Sequence, residues 1–556
     1  MADASYDAVV IGGGPNGLTL ACYLANAGME VAVLERQHEL GGGACGEELP
    51  LPGFLSNPCA NFHAFYRSPP WRDFKLWEKG AKYLFSELAP VAIFDNGTCL
   101  QGYPIMEVVD PLTAEERYFP ENLERNLKEI ARFSQRDAET GSILIEKFRR
   151  KWRAAYWEWV LSPPAPWGEK DAIERLLDDP VDGIDPMYQV MTCKEVAYDL
   201  FESEEIRIYF MRSALSSTGC YPGDVMHIAD AIDRFRVILS ISSPAAFPAG
   251  GTHTIAHALQ RALTEMGGRF FVHHEVDRIL IDNGAANGVR LVDGTEIEAK
   301  KLVVSDVDPN QTLLRFVGED NISPQLARRV RNFSYDRANL FWVHVAIHEL
   351  PKYKAADFNP DCLRASKVEY LPNDSEALAE RHQMEIFSRG IPEKLYLLAG
   401  IDSMVDKTRA PEGKHNVLFE QFAAPARYFS EREWLRMKKE IVAEIVRQWQ
   451  WYAPNMTWDN VIGAYANTPH DVANRNINML EGSWSVGAHT ASQMGRFRPC
   501  PELSGYRVPN INNLYLCGAG QHYGGTLSGR SGYNCYKIVA EDFGLPKVWE
   551  EKGRPY

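Results

Sequence analysis

Residues 6–35 read Tyr6-Asp7-Ala-Val-Val-Ile11-Gly12-Gly-Gly14-Pro15-Asn16-Gly17-Leu-Thr-Leu-Ala-Cys-Tyr-Leu-Ala-Asn-Ala-Gly28-Met-Glu30-Val-Ala-Val-Leu-Glu35. The apolar run that ends at Ile11 has the length and composition of a buried parallel strand. Gly12 permits the tight turn that follows, Gly14 lets backbone approach a pyrophosphate, and Gly17 lets the next helix pack closely on the sheet. Leu18, Ala21, Cys22, Leu24 and Ala25 give the apolar face of a helix from Pro15 to Ala27, closed by Gly28. Its first turn, with Pro15 and Asn16, offers free N–H groups and the positive end of the helix dipole to phosphate. Residues 30–35 read as a second buried strand ending in Glu35. That acid lies about 20 residues past the glycines, where a carboxylate accepts hydrogen bonds from ribose hydroxyls. Strand, glycines, helix, strand and acid in register predict an α/β dinucleotide-binding unit.

The residues after Glu35 narrow the dinucleotide. Arg36 follows the acid, and a glycine pair, Gly41-Gly42, comes after five residues, leading into Gly43, Ala44 and Cys45. A second glycine-rich stretch closes the chain: Asn513-Leu-Tyr-Leu-Cys-Gly518-Ala-Gly520-Gln-His522-Tyr523-Gly524-Gly525, then Ser528-Gly529-Arg530-Ser531-Gly532-Tyr533. It reads as a strand, a loop and a helix beginning near Arg530 or Ser531. As a second nucleotide site it fails, because its loop is too long for the tight strand-to-helix turn. A third element, Pro248-Ala-Gly250-Gly251-Thr252, precedes a helical stretch. Strands over 272–281 and 289–304 surround turns at Asn283-Gly284 and Asp293-Gly294.

Together these segments resemble the phytoene dehydrogenase-like members of the flavin amine oxidase superfamily, whose relatives include carotenoid isomerases and retinol saturases. The resemblance covers both ends and a central block. It implies FAD, gripped by both ends of the chain, and a Rossmann-like FAD-binding domain of amine-oxidase type with a discontinuous α+β substrate-binding domain. Gly42, Gly43 and Ala44 are then expected near the diphosphate and flavin, and Val276 at the adenine. Gly518 is expected at the phosphates, and Gly529, Ser531, Gly532 and Tyr533 at the helix facing the flavin ring, where a helix N-terminus stabilises negative charge. Many members carry Arg after the glycine pair, where this chain has Gly43. Neither Cys45 nor Cys535 sits in the covalent-cysteine motif of monoamine oxidases, so noncovalent FAD is expected.

Composition agrees with a globular enzyme. The 556 residues carry a net charge of −15, which argues against nucleic acid or anionic lipid as a general partner. No apolar run reaches the length of a membrane span. The first strand begins by Tyr6, which leaves no room for a leader. Ten scattered cysteines without CxxC spacing predict reduced thiols, no metal and a cytoplasmic location. The domain division is expected to be discontinuous, with residues 1–70, 245–315 and 480–556 binding FAD and 71–244 and 316–479 binding substrate. Helices are expected over 121–135, 142–159, 193–200, 205–213 and 430–451, and strands over 339–347 and 394–401.

Catalytic candidates come from position. His522 and Tyr523 follow the phosphate-contacting glycine and precede the helix facing the flavin, where they would meet substrate. His63 lies in the loop after Gly53-Phe54. Trp152, Tyr156 and Trp159 share a helical face; they read as core packing or as an apolar lid that touches a membrane peripherally. His344/His348 and His253/His257 are spaced by four but read as packing or surface residues, not metal ligands. The resemblance implies an oxidoreductase that moves hydride between flavin and a C–H bond of an apolar small molecule, most simply a CH–CH group. Its reduced flavin would pass electrons to oxygen, a quinone or another acceptor, since only one complete fingerprint is present. The alternatives are a flavin amine oxidase and, outside enzymes, a lipid-binding protein like the GDP-dissociation inhibitors.

Overall fold

The computed structural model describes residues 2–60, 64–110, 115–238 and 245–551. It is a mixed α/β structure organised by two seven-stranded sheets. In the first, five strands run parallel in the order Arg269–Phe271, Val31–Leu34, Ala4–Ile11, Glu296–Ser305, Leu514–Leu516. The strand Glu296–Ser305 serves two neighbours on one edge. Its first half pairs antiparallel with Ala285–Leu291, and Val303 to Ser305 pair parallel with Leu514–Leu516. The first and last fingerprints thereby flank a single central strand.

Alternation decides what each face of this sheet meets. Ala8, Val10, Val31, Val33, Leu302 and Val304 pack under the helices Pro15–Asn26, His253–Glu265 and Arg530–Phe543. Val9, Ile11 and Val303 pack on the other side against the hairpin Val276–Asp282/Ala285–Leu291 and against Phe316, Leu326 and Val330. The hairpin turns at Asn283 and Gly284, both with positive φ (48° and 76°), as its Asn-Gly pair requires. The strand expected from Val272 starts only at Val276. His273 has φ 56°, and the backbone N–H groups of His273 and His274 donate to Gln37 O and Glu35 O. That turn carries the chain out of the parallel core and against the end of the second strand.

The second sheet runs Val461–Asn467, Leu340–Ile347, His415–Phe422, Leu398–Gly400, Lys367–Leu371, Val91–Phe94, Cys99–Gln101. All its pairings are antiparallel except that between Lys367–Leu371 and Val91–Phe94. Phe341, Val343 and Phe419 pack against Trp434, Met437, Ile441 and Trp449 of the helix Glu431–Tyr452. That helix starts in a capping box between Ser430 and Glu433. The strand expected over 394–401 is confined to Leu398–Gly400. The N–H groups of Leu395 and Tyr396 donate instead to the side-chain oxygens of Gln448 and Gln421. The helix expected over 121–135 stops at Ala131, because Ser134 caps a new helix through Asp137 N. That new helix starts at Gln135, not at 142, and passes through a wider turn at Phe148–Trp152 before ending at Val160.

Candidate cofactor and substrate site

Asp306, the residue after the central strand, is where the two ends of the chain meet. A Cβ on Gly14 would lie 2.5 Å from Asp306 Oδ2, and one on Gly17 would lie 2.5 Å from Gly12 O. A Cβ on Gly518 would lie 2.4 Å from the Asp306 carbonyl oxygen, and one on Gly532 would lie 2.1 Å from Asn16 O. The last helix therefore packs backbone to backbone on the first glycine loop. Ser531 Oγ donates to Gly518 O (2.9 Å) and His522 O (3.0 Å), tying the loop to the helix start. Gly529 precedes that helix with φ 66°, and its Cβ would meet Thr19 Oγ1 at 2.5 Å. Tyr533 is buried with its ring 5.4 Å from that of Tyr23. Gly17, Gly518, Gly529, Ser531, Gly532 and Tyr533 act through these contacts and line neither cavity described next.

Two cavities adjoin at the glycine loop. One, of about 370 Å³, is lined by Gly12, Glu35, Arg36 and Val276. The other, of about 350 Å³, is lined by Pro15, Asn16, Gly43, Ala44, Tyr523 and Arg530, and reaches Trp342 and Leu398 on the second sheet. Gly14, Gly42, Asp306, Asn476 and Asn478 line both. At the junction a Cβ on Gly42 would come within 3.4 Å of Gly14 Cα, so two glycines leave room at the narrowest point. Glu35 Oε2 accepts from Gly13 N (2.9 Å) and Oε1 from Gln37 N (2.8 Å), which fixes the carboxylate at the end of its strand. The long path, the open helix start and the glycine-lined waist fit an extended dinucleotide. Glu35 and Val276 would hold the nucleoside end, and Gly14, Gly42 and the first turn at Pro15 and Asn16 the diphosphate.

The carboxyl of Asp306 has an unusual setting for such a site. Burial, then the nearby Glu35 charge, push it up to about 8, against hydrogen bonds from Gly17 and Gly14 N–H. It is thus protonated at neutral pH and brings no negative charge to the place where phosphate would lie. Sequence reasoning missed this residue. Its only signal is that it follows a buried strand, and its partners are some 290 residues away in the chain.

Tyr523 and His522 are neighbours with opposite placements. Tyr523 lines the second of these cavities beside Tyr156, with the two hydroxyls 3.2 Å apart. Its hydroxyl also donates to Asp230 Oδ1 (3.3 Å), and Asp230 Oδ2 lies 3.5 Å from His489 Nδ1. Burial first, then Tyr156 and Asp230, hold the Tyr523 phenol well above its usual range, so it remains a proton donor. Burial opposes ionisation of Asp230, but the hydrogen bond and charge of His489, with His227 and Arg234, outweigh it and hold the carboxyl low. The Arg530 guanidinium lies 5.2 Å from the Tyr523 ring and 5.0 Å from Trp157. His522, by contrast, is fully buried and lines neither cavity. Its Nε2–H donates to Trp159 O (2.9 Å), its ring meets the Trp159 ring at 4.5 Å, and burial lowers it to about 4. It braces the wall behind the site and does not reach over it. His63 lies outside the described residues.

The aromatic face of residues 152–159 is core. Trp152 and Trp159 are buried, with Trp152 Nε1 donating to Asp182 O and Trp159 stacked on His227 at 4.7 Å. Of the aromatic residues in this stretch, Tyr156 and the adjacent Trp157 line the cavity. A further residue missed by the sequence is Arg498. It is fully buried and donates to six backbone carbonyls, those of Ser485, Val486, Ala488, Gln493, Ala519 and Gln521. It thereby fastens residues 485–493 to the loop that carries Tyr523. His344 is buried and pushed down to about 3 by burial, while His348 Nδ1 meets Lys414 Nζ at 2.8 Å, so the pair is not a joint site. Among the described residues no group of three His, Cys, Asp or Glu could hold a metal ion, and no helix is long and apolar enough to cross a membrane.

A family profile described as an NAD(P)-binding Rossmann-like domain matches residues 10–75. A limonene dehydrogenase component from Castellaniella defragrans is 26% identical over 98% of this chain and 96% of its own length. A phytoene desaturase (neurosporene-forming) of Rhodobacter capsulatus is 24% identical over 50% of this chain and 49% of its own. These likenesses support a place in the phytoene dehydrogenase-like and flavin amine oxidase superfamily. The fold agrees: cyclohexylamine oxidase from Brevibacterium oxydans superposes with a TM-score of 0.56, 14% identity, and coverage of 97% of this chain and 99% of that one. With relatives named as a dehydrogenase and a desaturase, the protein is an oxidoreductase.

Proposed function

We propose that the protein is an FAD-dependent oxidoreductase that binds FAD noncovalently and acts on a C–H bond, most simply of a CH–CH group, in a largely apolar small molecule. The observation that carries this reading is the pair of cavities joined at Gly14, Gly42 and Asp306, one ending at Glu35 and the other at an aromatic wall. A bound flavin would supply the two-electron chemistry, and oxygen, a quinone or another acceptor would take the electrons onward. Residues 1–70, 245–315 and 480–556 would form the cofactor half, and 71–244 and 316–479 the substrate half. Tyr156, Trp157 and Trp342 would exclude water and orient the substrate. Tyr523 would hold or donate a proton at its hydroxyl, with Asp230 and His489 behind it. The names of the relatives, a limonene dehydrogenase and a phytoene desaturase, support an apolar substrate.

The test is anaerobic mixing of flavin-loaded protein with limonene, phytoene and shorter polyenes on one side, and putrescine and cyclohexylamine on the other. Loss of flavin absorbance is expected with the alkenes. Bleaching by the amines alone would turn the reading to an amine oxidase. Tyr523→Phe should slow bleaching by roughly 10²-fold at unchanged FAD content, the scale of a positioned acid or base. His522→Ala should instead lower FAD content or stability, with the rate per bound flavin unchanged.

Asp306 gives a pH test. Its proton is favoured by a neighbouring diphosphate, so above about pH 8 binding must take up a proton. FAD affinity should therefore fall as pH rises past about 8, by at most about tenfold per unit, the limit for one linked proton. Titration of FAD into apoprotein at graded pH reads this directly. Asp306→Asn should flatten the curve, and an equally steep curve in that variant would assign the proton to another group.

A further inference from the structure

Two of the ten cysteines meet where the cavities adjoin. Cys45 lines the cavity that ends at Glu35, and Cys59 lines the one that ends at the aromatic wall. They leave opposite strands of one small hairpin, in which Glu47 pairs with Ser56 and Glu48 with Leu55. Cys45 lies two residues before Glu47 and Cys59 three residues after Ser56, so both extend from the open end of that hairpin. Thr252 holds this end together. Its Oγ1 donates to Cys45 O (2.8 Å), and its N–H donates to Asn57 Oδ1 (3.1 Å), two residues before Cys59. The two side chains pack in one apolar cluster with Met479, and their thiols lie within hydrogen-bonding reach of each other.

The two thiols are not equivalent. Cys59 is buried, and Cys45 alone of the ten cysteines keeps part of its surface exposed. The hydrogen bond from Cys59 lowers Cys45 most; desolvation opposes it, and the Arg475 guanidinium adds to it against the Glu39 charge. The same bond, with burial, raises Cys59. Cys45 is thus the sulfur poised as a thiolate nucleophile, and Cys59 keeps its proton. The bond that Cys45 Sγ makes to Gly43 O when protonated is long, at 3.7 Å. A second pair supplies the contrast. Cys99 and Cys362 are also within hydrogen-bonding reach, but both are fully buried in the core of the second sheet and line neither cavity.

We propose that Cys45 and Cys59 form a redox-active dithiol, which a hydroperoxide closes to a disulfide between the two cavities. The Cys45 thiolate attacks one peroxide oxygen. An S–O bond forms, the O–O bond breaks, and the leaving oxygen departs as water with the proton that Cys45 gave up. The Cys59 sulfur then attacks Cys45. The S–S bond forms, the S–O bond breaks, and a second water carries away the Cys59 proton. Two thiols are oxidised and one peroxide is reduced to two waters. An accessible thiolate beside a resolving cysteine is the arrangement that this chemistry uses, and a thiol reductant reverses it. The bond ties the segment after the glycine pair to the chain that enters the wall of the second cavity at Cys59, Ala60 and Ala64. This assignment goes beyond the flavin reading and does not depend on it.

The test treats purified protein with equimolar hydrogen peroxide, quenches with acid and counts thiols after denaturation. Two of the ten thiols should be lost, and dithiothreitol should restore both. Cleavage after Arg and Glu should release residues 40–47 and 49–67 joined by a disulfide. Cys45→Ser should abolish the loss. Cys59→Ser should leave a sulfenic acid on Cys45, which dimedone traps. Arg475→Gln should slow the reaction severalfold, and Cys99→Ser should leave its rate unchanged. Retention of all ten thiols by the wild type, or a disulfide that maps to other cysteines, would overturn the inference. So would an undiminished loss of two thiols in Cys45→Ser protein. The wild-type peptide map decides the matter even where a variant fails to fold.

Discussion

Gly532→Ala should abolish flavin retention. The added Cβ would sit 2.1 Å from Asn16 O and 2.9 Å from Asn16 C, both backbone atoms that no rotamer change can move. The last helix must then back away from the glycine loop by about 1 Å to reach ordinary packing distance, and close-packed interiors transmit such a shift. Overpacking of this kind costs about 1–3 kcal/mol, and here it falls on the contact that joins the two cofactor-facing ends. Flavin per chain should drop by roughly tenfold or more on the conversion of 1.4 kcal/mol to a factor of ten. Gly223→Ala is the control, since its Cβ would meet nothing within 4 Å. Full occupancy in Gly532→Ala protein would show that the last helix does not control the cofactor site.

Arg498→Met should produce the largest loss of stability. Six backbone carbonyls share this guanidinium, and methionine offers none of them a donor. Burial lowers the group to about 10, so it remains charged at neutral pH and its hydrogen bonds are charge-assisted. Breaking a buried charged network by removing one member costs about 3–5 kcal/mol. The denaturant midpoint should fall accordingly, with flavin lost earlier than the rest of the fold because residues 518–525 lose their anchor. Arg498→Lys should recover only part of the loss, since an ammonium cannot fork to six acceptors. A midpoint within experimental error of wild type would mean that these carbonyls find other donors.

What the sequence made legible was local. Gly12, Gly14, Gly17 and Glu35 lie within one strand-turn-helix-strand unit, and each has a physical role that its own neighbours define. The Asn283-Gly284 turn is local in the same sense. The parts of the site that escaped depend on partners far away in the chain. Asp230 and Tyr523 are 293 residues apart and Tyr156 and Tyr523 are 367 apart, so neither pairing leaves a pattern in either segment. Arg498 depends in the same way on six carbonyls that lie outside its own segment or in the loop before it. The different placement of His522 and Tyr523 has the same origin: the motif brings both to the site, but Tyr523 lines the cavity and His522 packs on Trp159. Side-chain oxygens of Gln421 and Gln448 likewise took backbone donors that an apolar run had suggested would belong to a strand.

The central claim is that both ends of this chain hold one flavin, and the most direct measurement is the flavin content of purified wild-type protein. The account predicts yellow protein with about one FAD per chain by the fingerprint's mechanics, released intact into the supernatant when the protein is denatured. Colourless protein that takes up no added FAD would contradict it, as would flavin that stays with the denatured chain.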